Sequence, residues 1–164
     1  MTIHSEQTHP LAWLTTGALI GLAGGLAEVL VIGAYSSVAG IDASGIAKAI
    51  ATAVRIDQGS AATGLAVHMA LSALLGMALL AVARGSGLLR AGTALYTYAM
   101  SILALSAIWI LNFFVVLPIL SPGFVHLLPY AVTLASKLMF AVAAVVALQM
   151  LFGRQRSNSA LCPA

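Results

Sequence analysis

The chain has 164 residues, 62% of them hydrophobic and 7% charged, with a mean hydropathy of +1.08. A soluble domain of this size carries about 25% charged residues, so there is too little polar surface to cover a water-facing globule, and an all-α polytopic membrane protein is expected. The formal charge of +3 comes from seven basic residues placed mostly beside the apolar runs, which points to the lipid bilayer as partner and away from nucleic acid, whose binding needs a clustered basic face.

Residues 1–10 are polar, contain no Lys or Arg and end at a proline suited to starting a helix. A cleaved secretory signal would need a positive leading region and a shorter apolar core, so none is expected. The first span runs over about 11–37, long enough for a tilted transmembrane helix. Within it Gly17, Gly21 and Gly25 repeat a four-residue spacing that lets another helix backbone approach closely. Glu28 lies eleven residues after Gly17 and seven after Gly21. At about 100° per residue, those offsets put its carboxylate within roughly 20° of the glycine stripe, where helices pack.

Residues 38–61 form the longest interruption. Ile46, Ile50 and Val54 recur every four residues there, while Lys48, Thr52 and Arg55 fall largely on other faces. A short amphipathic helix lying on the membrane surface is expected, either simply covering the bundle or acting on lipid. The second span covers about 62–83 and carries Gly64, His68, Ser72 and Gly76 at four-residue spacing. A basic turn from Arg84 to Arg90 leads to the third span, about 91–117, which Pro118 and the Ser121-Pro122-Gly123 turn should end. The fourth span covers about 127–152, with Pro129 in its first turn, and 153–164 is a polar tail. Trp13, Tyr96, Tyr98 and Tyr130 near span ends suit an interfacial aromatic belt. Cys162 stands alone, so it forms no internal disulfide, and it lies one position short of a prenylation box. No linker divides the chain, and an antiparallel four-helix transmembrane bundle is the economical architecture.

Arg84, Arg90, Arg154 and Arg156 share one side of such a bundle, against Lys48 and Arg55 on the other. That asymmetry predicts both termini in the cytoplasm. With this orientation Glu28, His68 and Asn112 lie outward of mid-span. Lys137, with a flexible stem reaching about 6 Å, can join them in one buried polar layer. His126, Tyr130, Thr133 and Lys137 read as a ladder along the fourth span that would wall a hydrated cleft open to the outside.

These residues support several kinds of chemistry. Glu28 with Lys137 reads as a structural ion pair that fixes helix register, or as part of a proton or ion path. His68 reads as a core histidine bonded to Glu28 or Asn112, or with His126 as a haem ligand. The glycine stripe, with Gly64 and Gly76, reads as packing within the chain or as a homodimer face. Zinc needs three or four convergent ligands, which Glu28, His68 and His126 supply only by distorting their depths, so no metal or cofactor is expected. Neither a phosphate-cradling loop nor a nucleophile–histidine–acid arrangement can be assembled, and the chain is read as no enzyme.

Three stretches, Gly64-Leu-Ala-Val-His68-Met, Asn112-Phe-Phe-Val-Val-Leu-Pro118 and the segment from His126 to Phe140, resemble uncharacterised four-span bacterial inner-membrane proteins of the YagU type. In those a glycine–x–x–x–histidine element opens a span and a branched apolar run ends at proline. The resemblance covers about the last two thirds of the chain and implies a multi-pass protein of the bacterial inner membrane, without implying an activity. The function expected is a small structural or accessory membrane component, self-associating or part of a larger membrane complex. The alternatives are a proton-coupled carrier or channel, and a haem-binding electron carrier.

Overall fold

The computed structural model describes residues 10–56, 59–85 and 94–160, with side chains over 12–56, 59–85 and 95–151. The start of the chain, Asp57, the part of the basic turn from 86 through Arg90, and Cys162 lie outside the described residues. Among the described residues every regular element is helical. Four helical stretches, Ala12–Ala39, Ala61–Gly85, Leu95–Leu120 and Tyr130–Leu151, are long and apolar enough to cross a membrane. The protein is thus an all-helical four-helix bundle with the lengths and composition of a multi-pass membrane protein.

Helix α1 (Pro10–Ala39) carries glycines that would weaken it in water. In an apolar surround, no water competes for its backbone hydrogen bonds. It stops at Gly40, whose φ of 69° returns the chain so that the Ile41 amide bonds the Ser36 carbonyl at 3.0 Å. Helix α2 (Ala43–Ala53) begins at Asp42, whose Oδ1 accepts from the Ser44 amide at 2.9 Å. Hydrogen bonding from Ser44 holds the Asp42 carboxyl below its ordinary value. The helix closes with the same device as α1, but on a residue with a side chain. Arg55 adopts φ 64°, its amide bonds the Thr52 carbonyl at 2.9 Å, and the Ile56 amide reaches Ala51 at 3.0 Å.

Helix α2 packs across the start of α3 (Ala61–Gly85) and touches α1 and the 3-10 turn Phe124–His126. It therefore covers one end of the bundle. Its buried positions are Ile46 and Ala51, while Val54 is exposed, so the buried stripe is turned from the expected Ile46–Ile50–Val54 line. The helix ends at Ala53, so Val54 leaves its helical line, and Gly64, where a side chain would collide with the Ala47 carbonyl, brings the small residues of α2 against α3.

Helix α1 is the centre of the molecule, with α3 on one side and α5 (Tyr130–Ala160) on the other, both antiparallel to it. Helix α4 (Ala94–Leu111) docks on α5 and has no comparable contact with α1 or α3. Leu105 nevertheless reaches a fully packed cluster with Ile20, Leu80, Phe140, Ala141 and Ala144, where all four long helices meet. A second cluster, Trp109, Phe113, Leu117 and Val125, seals α4 to the start of α5.

The third span does not stop before Pro118. It passes through a π-helical segment, Asn112–Val116, and a final turn, Leu117–Leu120. Proline lacks an amide and crowds the carbonyl four residues earlier. Widening the helix ahead of it relieves that conflict, with the Leu117 amide bonding Asn112 across a longer ring. Pro129 sits just before α5 and offers its carbonyl to the Val132 and Thr133 amides at 3.0 and 3.2 Å. At its far end the apolar span stops at Leu151, close to the expected 152, while the helix itself continues to Ala160 through the polar tail, since Gly153 alone does not stop a helix of Arg and Gln.

Candidate functional site

The glycines of α1 decide where its acid stands. A side chain on Gly17 would press on the Met77 backbone at 2.7 Å, one on Gly21 on the Ser72 carbonyl carbon at 2.8 Å, and one on Gly25 on Ser72 Cβ at 2.6 Å. From the other helix, Gly76 meets the backbone of Gly17 and Gly21. The glycine stripe is therefore occupied inside the chain, by α3. Gly24, one position off the stripe, lies against the Phe140 ring, where an added Cβ would sit at 2.7 Å. Adjacent glycines thus admit α3 and α5 together, and one turn later Glu28 stands between them.

Glu28 is buried, its side chain 7% exposed, and Oε1 lies 2.7 Å from Lys137 Nζ, the length of a charge-assisted hydrogen bond. Lys137 Nζ also lies 5.3 Å from the centroid of the Phe140 ring, one turn further along α5. On the opposite side, His68 Nε2 is 3.3 Å from the Gly25 carbonyl and 3.9 Å from Glu28 Oε2. Both of those neighbours are acceptors, which assigns the ring proton to Nε2. Glu28 Oε2 itself is buried and accepts no hydrogen bond. The centre is therefore a carboxylate from α1 clasped by a lysine of α5, with a histidine of α3 beside its free oxygen.

Asn112 does not join this centre. It lies half-buried in the π segment that continues α4, which docks on α5 away from α1, and makes no hydrogen bond to Glu28, His68 or Lys137. The expected one-from-each-helix layer is thus reduced to three helices, because α4 is not a neighbour of α1 at that depth.

The outer cleft is corrected as well. His126 is exposed in the 3-10 turn, while Tyr130 stacks on Phe114 at 5.4 Å and meets Trp109 edge-on at 6.2 Å. Thr133 is buried, accepting from Trp109 Nε1 at 3.1 Å and donating to the Tyr130 carbonyl at 3.0 Å. Ser136 is likewise buried and donates to the Thr133 carbonyl at 2.9 Å. This face of α5 is an aromatic seam against α4 with the Thr133 and Ser136 hydroxyls satisfied, the first by the buried Trp109, which needs an acceptor. His68 points at α1 and not toward His126, so the two histidines do not form a ligand pair.

Three participants were missed at the level of the chain: Gly24, the Phe140 ring and the Trp109–Thr133 bond. The Gly24-Gly25 doublet and the three-residue spacing from Lys137 to Phe140 were the available signals. Comparison with protein-family models, curated proteins and solved structures finds no match, and the reading of the site rests on its geometry.

Proposed function

We propose that this chain is a small, non-enzymatic integral membrane protein, a structural or accessory component whose three-helix core is keyed by Glu28 and Lys137. The observation that carries the reading is the 2.7 Å pair itself, buried between α1 and α5. A buried ion pair does little for stability compared with a well-packed apolar pair, but it specifies one register, because any slip leaves a charge without its partner. His68 on the Gly25 carbonyl fixes α3 to the same turn of α1. Placement in the bacterial inner membrane with both termini cytoplasmic belongs to the same proposal, supported by the basic residues around the terminal side and by the YagU-type resemblance. Its partners are lipid and either a second copy or a larger membrane complex. The occupied glycine stripe directs such an association to other faces.

A double-mutant cycle tests the reading. Glu28→Gln and Lys137→Met should each destabilise the protein in detergent by about 3–5 kcal/mol, with much of that recovered in the double variant. Additive losses with no recovery would show that the two residues do not key the bundle.

One observation favours a second reading, a proton-coupled carrier or channel: the buried Oε2 of Glu28 faces a histidine and accepts no hydrogen bond. In proteoliposomes a carrier would lose proton flux in the stable double variant, whereas a structural pair would leave no flux to lose.

A further inference from the structure

We infer that Glu28 and His68 form a proton-exchange site, in which His68 delivers a proton to Glu28 and thereby releases Lys137. The inference rests on the ion-pair geometry proposed above and requires no transport. Glu28 has two inequivalent oxygens: Oε1 is engaged by Lys137, and Oε2 is buried without a hydrogen bond. A buried polar atom left in that state is uncommon and calls for an explanation, which a second arrangement of the neighbouring imidazole supplies. His68 Nε2 stands 3.9 Å from it, bonded for now to the Gly25 carbonyl at 3.3 Å. A small swing of the imidazole exchanges one acceptor for the other and closes the gap to hydrogen-bonding distance, about 2.8 Å.

The order of transfer follows from packing, since within the chain the His68 side chain is the less enclosed of the two, 21% exposed against 7% for Glu28. A hydronium ion gives its proton to His68 Nδ1, and the proton on Nε2 passes to Glu28 Oε2. The products are water, a neutral imidazole protonated at Nδ1 and a neutral carboxyl group, so charge and atoms balance. Rotation of the ring or exchange with water then restores the Nε2 tautomer.

Among the described residues, the ionisable groups facing this carboxylate are few. Helix α3 contributes His68 and α5 contributes Lys137. Helix α2 carries Lys48, which is exposed at the surface. Neutral Glu28 no longer offers Lys137 a counter-charge, while the Phe140 ring at 5.3 Å still accommodates the ammonium. Proton uptake therefore loosens the clasp between α1 and α5 and leaves a lysine with a second resting place.

Infrared difference spectroscopy on the full chain in lipid tests this. Glu6 and Glu28 are the two glutamates of the sequence, so Glu6→Gln protein labelled with carbon-13 glutamate reports Glu28 without altering it. Acidification should produce an isotope-shifted carboxylic acid band, and after a pH jump that band should rise at least about tenfold more slowly in His68→Gln. No labelled acid band on acidification of the folded protein would overturn the site. A band rising equally fast in His68→Gln would overturn the role of the histidine. Failure of the double-mutant cycle would instead strike the keying role of the pair, because the infrared signal does not depend on coupling to stability.

Discussion

At the scale of single residues, the same turn geometry closes α1 and α2 with different side chains. Gly40 and Arg55 both stand in the left-handed region, at φ 69° and 64°. Glycine enters that region freely, whereas a side chain there loses about 1–2 kcal/mol to crowding against the following carbonyl. Arg55→Gly should therefore stabilise the end of α2 by about 1 kcal/mol, seen as slower hydrogen exchange at the Ile56 amide, which the turn bonds to Ala51. Faster exchange in the variant would mean that the arginine side chain holds the turn. Glu28 shows the complementary lesson. Its position on the glycine stripe was legible from spacing, and its pairing with Lys137 was one reading that a shared depth in the bundle allowed. That Oε2 would face His68 and remain without a hydrogen bond was not legible, because the gap depends on fractions of an ångström in how α3 sits on α1.

At the scale of elements, the contact of α1 with α3 is made by backbone meeting backbone. Where helices pack in lipid there is no hydrophobic drive to bring them together, so close approach and dispersion must do it. Gly21→Leu should therefore damage thermal stability and folded yield in detergent far more than Leu22→Ala, since a side chain at 21 strikes the Ser72 main chain. Equal losses for the two variants would remove the special role of the stripe. The spacing of Gly17, Gly21, Gly25, Gly64 and Gly76 announced packing, but not with which element. Gly64 receives α2, a short surface helix, and Gly76 receives α1. The π segment before Pro118 was hidden for a different reason: periodicity reads an apolar run as a span and proline as its end, and does not register a widened turn that carries the helix past it.

At the scale of the whole molecule, antiparallel neighbours place the start of α1 and the end of α5 on one side, opposite α2 and the 121–129 connection. The basic residues near the terminal side lead to the expectation that this side is cytoplasmic. With Cys162 replaced, a cysteine at Ser121 should react with an impermeant reagent in intact cells, and one at Ser157 should react only after lysis. Labelling of Ser157 but not Ser121 in intact cells would invert the orientation. Because α1 is central and α4 docks only on α5 to any extent, the polar centre belongs to α1, α3 and α5, and α4 contributes an aromatic seam in its place.

Composition and hydropathy sufficed for the class of the protein, its four apolar spans and the polar side chains among them, because those follow from transfer energies summed along the chain. Spacing sufficed for the face on which Glu28 lies, since helical geometry repeats locally. The order of helices around α1 was decided only in three dimensions. Which of two adjacent glycines admits which neighbour depends on side chains distant in sequence, Ser72 and Met69 for one helix and Phe140 for the other. The same packing excluded Asn112 from the centre and turned Thr133 from a cleft wall into the acceptor of a buried indole, outcomes that no local pattern in the chain encodes.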